Sequence, residues 1–137
     1  MTQAPLPKPK DAARTKARNF IAVASGKGGV GKTWLSVTLS HALAQAERKT
    51  LLFDGDLGLA NLDIQLGLMP KHDLGGVFSG RHSLAQAVSL CEETGFDFIA
   101  GRSGSGALSS LPANRVQALV DELILLGANY DHVILDL

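Results

Sequence analysis

The sequence predicts an α/β fold, a mostly parallel sheet flanked by helices, with about four strands in this chain and the sheet incomplete. Three observations carry the prediction. Short apolar runs alternate with segments of helical period. A glycine-rich turn joins the first apolar run to the first helix. Two of the apolar runs deliver an aspartate at their ends. Strands alternating with helices form βαβ units, whose strands lie parallel.

The elements follow in order. Phe20-Ile21-Ala22-Val23-Ala24 is rich in β-formers and bounded by Ser25-Gly26, so 20–24 reads as a buried strand. Residues 33–47 place Leu35, Leu39, Ala42, Leu43 and Ala46 at helical spacing, which predicts a helix with that face on the sheet. Residues 50–53 form a second strand closed by Asp54-Gly55. Residues 60–67 read as a short helix, and 74–90 as one or two helical pieces broken around Gly80. Residues 96–100 form a third strand. Residues 112–126 form a helix with Pro112 in its first turn and Gly127 just past its end. His132-Val133-Ile134-Leu135-Asp136 is the fourth strand. The chain stops at Leu137 directly after it, so the chain is expected to be the N-terminal part of a longer protein.

Composition narrows the function classes. The 137 residues are 45% hydrophobic and 19% charged, enough apolar material for one domain with a sizeable core. Lys plus Arg and Asp plus Glu both number 13, which argues against a bulk polyanion binder, and nucleic acid is not an expected partner. The balance is uneven along the chain. Residues 1–18 carry five basic side chains (Lys8, Lys10, Arg14, Lys16, Arg18) against Asp11, a net of +4, and three of the five prolines. They read as a flexible basic tail, either a solvated leader or an arm that touches a partner; residues 19–137 read as the N-terminal part of the folded domain. Cys91 is the single cysteine, which excludes an intrachain disulfide and fits a reducing compartment. Apolar runs span only a few residues, against about 20 for a membrane-spanning helix. His41, His72, His82 and His132 show no ligand spacing.

The chemistry concentrates in the first turn. Gly26-Lys27-Gly28-Gly29-Val30-Gly31-Lys32-Thr33 matches G-x-x-x-x-G-K-[ST], after a strand and before a helix. Glycines let backbone N–H groups turn inward onto phosphate oxygens. The helix N-terminus adds its dipole. Lys32 supplies a point charge for the β- and γ-phosphates, and Thr33 offers a hydroxyl to Mg²⁺. Trp34 follows, as a reporter of the nucleotide or as packing. Asp54 and Asp56, two apart at the end of the second strand, can both face a Mg-nucleotide, one holding metal-bound water and the other orienting the attacking water. A plain turn would use the same residues. Asp136 stands at the end of an apolar strand.

The second lysine of the loop carries a resemblance. Lys27-Gly28-Gly29-x-Gly31-Lys32-Thr33 resembles the deviant Walker A motif of the MinD/ParA ATPases. Asp54-x-Asp56-Leu57-Gly58-Leu59-Ala60-Asn61-x-Asp63 resembles their switch I, most of all in the flagellar-number regulators of the FlhG/FleN type. Asn61 and Asp63 also suit helix capping. Gly101–Gly106 resembles the family's Pro-Gly-x-Ser-Gly segment, with Ala100 where proline is usual, and Tyr130–Asp136 resembles the Walker B strand.

The resemblance spans roughly 19–137, about half of a typical member. It implies a P-loop ATP hydrolase with ATP and Mg²⁺ as cofactors. Gly26 through Trp34 would bind the nucleotide. Lys27, Lys32 and Asp56 would be catalytic, with Lys27 reaching across an ATP-dependent homodimer. Thr33, Asp54, Asp56 and Asp136 would serve the metal. It further implies a cytoplasmic protein, with a flagellar or other regulatory partner and peripheral contact at the inner membrane face through a segment beyond Leu137. Switch II would also lie beyond Leu137, so the chain alone is alternatively a non-catalytic nucleotide-binding or interaction fragment. A small-molecule enzyme, such as an amidoligase or phosphoryl transferase, is the remaining alternative.

Overall fold

The computed structural model describes residues 18–24, 31–55, 72, 74–101 and 111–137. Within them the chain forms β1 (Phe20–Val23), α1 (Lys32–Gln45), β2 (Thr50–Asp54), α2 (Leu74–Phe78), a 3₁₀ turn (Ala85–Ala87), β3 (Val88–Leu90), β4 (Asp97–Ile99), α3 (Ala113–Gly127) and β5 (His132–Asp136). The sheet order is β1-β5-β2-β4-β3. The β1–β5, β5–β2 and β2–β4 pairs are parallel, and β3–β4 is antiparallel. The expected short helix at 60–67, the loop residues 26–30 and the basic tail up to residue 17 lie outside the described residues.

Side chains alternate through the sheet, as pleating requires. Leu51 and Phe53 of β2 join Val133 of β5 and Leu119 and Leu123 of α3 in one core layer. Leu52, Phe98 and Ile134 point to the other side, where Val37, Leu39, Leu43 and Ala44 of α1 pack on them. The sheet is therefore covered on both faces, which is what a parallel sheet needs. Cys91 is buried in the second layer. β1 closes the order at one end, with Ile21 38% exposed.

The structure corrects the sequence reading in four places. First, Val88–Leu90 is a strand rather than the end of a helix. Its hairpin partner β4 is reached through a turn in which Gly95 has φ 81° and its N–H bonds to the Cys91 carbonyl at 2.8 Å. Second, α1 faces the sheet with Lys32, Ser36 and Ser40 rather than with Leu35, Ala42 and Ala46. Leu35 is 49% exposed. Small serines let the helix sit close to the sheet. Their hydroxyls are satisfied locally, Ser36 Oγ on the Lys32 carbonyl at 3.0 Å and Ser40 Oγ on the Ser36 carbonyl at 2.8 Å. Third, the helix read over 33–47 ends at Gln45. Glu47 adopts φ 60°, and bonds from Glu47 N to Ala44 O and from Arg48 N to Leu43 O close a Schellman cap without a glycine. Fourth, Pro112 is the N-cap of α3 and Gly127 its last residue. Gly127 works by packing, since a Cβ there would stand 2.7 Å from Phe20 Cζ.

Candidate functional site

Parallel strands all end at one edge of the sheet, and ligand groups gather there. In register, Val23 of β1 and Asp54 of β2 both pair with Asp136 of β5. The two aspartates therefore stand side by side on adjacent strands, each only 2% exposed. Leu137 N donates to Val23 O at 3.0 Å and Gly55 N to Asp136 O at 2.8 Å, which extends the pairing one residue past the strands.

α1 starts over this edge. Gly31 caps it with φ 96°, a torsion that L side chains rarely adopt, and Leu35 N bonds to the Gly31 carbonyl at 2.9 Å. Among the described residues no side chain caps this end, and its first turn carries no acid, so its N–H groups and positive dipole end suit an anion.

The first two helical residues turn onto Asp136. Thr33 Oγ1 donates to Asp136 Oδ2 at 3.0 Å. Lys32, 8% exposed, holds its ammonium 3.2 Å from Asp136 Oδ1 and hydrogen-bonds to the Leu137 carbonyl. The Lys32–Oδ1 approach is close enough for charge attraction, but it lacks hydrogen-bond alignment, so Oδ1 is a buried acceptor with no aligned donor among the described residues. A carboxylate oxygen with spare acceptor capacity, beside a threonine hydroxyl, is a donor set that suits Mg²⁺ or its bound water. The residues present therefore fit a magnesium ion.

The structure thus brings together Gly31, Lys32, Thr33 and Asp136, with Asp54 level beside them. Trp34 is 67% exposed in the first turn of α1. Gly26, Lys27, Gly28, Gly29, Val30 and Asp56 lie outside the described residues, as do Asn61 and Asp63. Gly55 has a role that its sequence context signals only as a strand end. A Cβ there would stand 2.8 Å from Leu137 Cδ2 and 3.1 Å from Asp136 O, so only glycine fits without a shift.

A second polar cluster sits at the opposite edge of the sheet. Tyr130 Oη donates to Asp97 Oδ2 at 2.6 Å, and Lys49 Nζ lies 5.1 Å from the centre of the Tyr130 ring. Burial first, then the hydrogen bond to Asp97 and that residue's charge, push the phenol's pKa upward. This cluster joins β4 to the start of β5 and is far along the strands from the Asp54–Asp136 edge.

Residues 21–130 match the model of the CobQ/CobB/MinD/ParA nucleotide binding domain. The chain belongs to that family. This CobQ/CobB/MinD/ParA domain is 40% identical over 116 residues to the antiactivator FleN of Pseudomonas aeruginosa, covering 85% of this chain and 41% of that protein. It is 36% identical over 119 residues to the flagellum site-determining protein YlxH of Helicobacter pylori, covering 85% of this chain and 40% of that one. Among solved structures, it superposes with a TM-score of 0.70 and 30% identity on the septum site-determining protein MinD of Pyrococcus horikoshii in complex with Mg-ADP, over 86% of this chain and 48% of that one. The chain spans about two fifths of the length of these curated relatives. The P-loop α/β fold class expected from the sequence is the one observed.

Proposed function

We propose that this chain is the phosphate-binding part of a MinD-like ATPase switch that takes Mg-ATP, dimerises on it and is reset by hydrolysis. The observation that carries the reading is the Lys32–Thr33–Asp136 constellation under the start of α1. A phosphate-loop lysine, its neighbouring hydroxyl and a strand-end carboxylate converge there. The Mg-ADP complex of the Pyrococcus horikoshii relative supports the choice of ligand.

In this reading the Lys32 ammonium moves its hydrogen bonds onto the β- and γ-phosphate oxygens. Thr33 and Asp136 hold the metal and its water, with Asp54 beside them. Mg²⁺, when bound, would supply charge neutralisation to the phosphates. Asp56 orients the attacking water, and Lys27 of each subunit reaches the other's phosphates. The burial of Lys32, Asp54 and Asp136 excludes bulk water and strengthens each charge contact.

The output is numerical or spatial control of a cell-surface machine, the flagellum first, as the relation to the flagellum site-determining protein YlxH suggests. The partners are a second copy and a regulatory protein. The setting is the cytoplasm, with peripheral contact at the inner membrane face. No helix among the described residues is long and apolar enough to cross a membrane.

The test is sedimentation of the longer parent protein with Mg-ATP. Wild type should shift to a dimer, and Lys27→Ala should stay monomeric while still binding nucleotide. Dimers of Lys27→Ala that form as readily as wild type would reject the shared-lysine switch.

A further inference from the structure

The polypeptide around α2 is folded back on itself by its own cap. Arg81 N bonds to Gly76 O at 3.0 Å and Gly80 N to Val77 O at 3.1 Å, with Gly80 at φ 77°. That is a Schellman cap, with glycine at the left-handed position. Ser79 adds two bonds, N to Gly75 O at 3.1 Å and Oγ to Gly76 O at 3.0 Å. The reversal returns His82 to the helix, where the Cε1 corner of its ring occupies the space that a side chain at residue 76 would fill. A Cβ on Gly76 would stand 1.9 Å from His82 Cε1 and 2.6 Å from Nε2.

His72, two residues before α2, meets His82 there. Their ring centres are 4.4 Å apart, with the planes tilted by 47°. His72 is exposed and His82 half-buried. Ten residues separate them in sequence, so neither spacing nor period flags the pair. The helix, its glycine cap and the missing Cβ at Gly76 together set the contact.

We propose that His72 and His82 form a two-imidazole site for a borderline divalent transition metal ion, with Zn²⁺ and Ni²⁺ as the fitting class. The separation of the ring centres is close to what one shared ion needs. Nitrogens bound at about 2.0–2.1 Å with a nitrogen–metal–nitrogen angle of about 90–110° hold two imidazole centres roughly 4.5–5.2 Å apart. The observed 4.4 Å needs only a small opening, and the exposed His72 has the room to make it. Imidazole nitrogens select Zn²⁺, Ni²⁺ and Cu²⁺, whereas Mg²⁺ prefers oxygen ligands, so this site is chemically distinct from the Asp136 edge. Water completes the ion's shell on the exposed side. The bound ion clamps the chain entering α2 to the chain leaving it, and stabilises that segment by mass action.

The probe is Ni²⁺ alone, titrated calorimetrically into the whole chain in buffer with excess Mg²⁺, and followed in parallel by paramagnetic broadening of histidine proton resonances. One Ni²⁺ per chain should bind, with the resonances of two of the four histidines lost first. His72→Gln, on an exposed side chain, should weaken binding by about tenfold or more with the fold intact. Gly76→Ala, which must displace the His82 ring, should weaken it as well. His41→Gln should leave it unchanged. Absence of binding up to about 1 mM Ni²⁺, or equal binding in wild type and His72→Gln, would overturn the proposal.

Discussion

The pairing of Lys32 with Asp136 makes a sharp energetic prediction. Both side chains are almost fully buried, and the charged groups are 3.2 Å apart. At an effective dielectric constant of about 20, that separation corresponds to about 5 kcal/mol of attraction. Desolvation of both ions consumes most of it, so the pair as a whole adds little net stability. Removing one partner is different, because it takes the counter-charge at 3.2 Å from a buried ion. Asp136→Asn keeps the shape and leaves the Lys32 ammonium opposite a neutral amide, at a cost of about 3 kcal/mol. Lys32→Met leaves the carboxylate with Thr33 alone and costs a similar amount. The double variant removes both charges and should recover most of the loss, giving a coupling of about 2 kcal/mol or more. Urea unfolding of the four proteins measures the cycle. Single effects that simply add, within about 0.5 kcal/mol, would show that the two groups do not interact and would refute the geometry of the site.

Three further outcomes are expected. Tyr130 is the single tyrosine, so phenolate absorbance reports it directly; with its folded pKa raised, its stabilising contribution is intact below the unfolded value of about 10 and is lost as pH rises beyond it. Phenolate should appear only well above pH 10 in the folded chain, and at lower pH in Asp97→Asn; an ordinary titration curve would contradict the buried hydrogen bond. Gly127→Ala should destabilise by about 1–3 kcal/mol by driving a methyl into the Phe20 ring, and Phe20→Leu in the same background should restore part of it, both read by urea midpoints. Glu47→Gly should stabilise by roughly 0.5–1 kcal/mol, since it relieves a left-handed torsion at the α1 cap; a lower melting temperature would contradict that.

Much of the fold was legible because strong local signals coincide with tertiary roles. β1, β2 and β5 are apolar runs ended by glycine or aspartate, and the turn at Gly31 needs glycine for its torsion. The candidate site was legible for the same reason, since Lys32, Thr33, Asp54 and Asp136 belong to motifs at strand ends and a helix start, which the register brings to one edge. β3 was hidden because three residues show no alternation, and its pairing depends on β4. The sheet-facing side of α1 was legible only in part: Leu39 and Leu43 pack on the sheet, but hydrophobic period assumes that apolar residues fill the most buried positions, and Ser36 and Ser40 take them instead, with their hydroxyls satisfied by their own helix. Gly127 and Gly55 looked like punctuation, whereas each clears space for a side chain or carbonyl that arrives from elsewhere in the chain. His72 and His82 meet only through a helix cap, which no pairwise spacing encodes.

The most direct measurement of the central claim is Mg²⁺-dependent binding of a fluorescent ATP analogue to the folded chain, with Lys32→Ala alongside. Magnesium should tighten binding by about tenfold or more, equivalent to about 1.4 kcal/mol, and Lys32→Ala should abolish it while the chain stays folded. Binding that is indifferent to magnesium and to Lys32, or no binding by a folded chain, would contradict a phosphate site built on Lys32, Thr33 and Asp136.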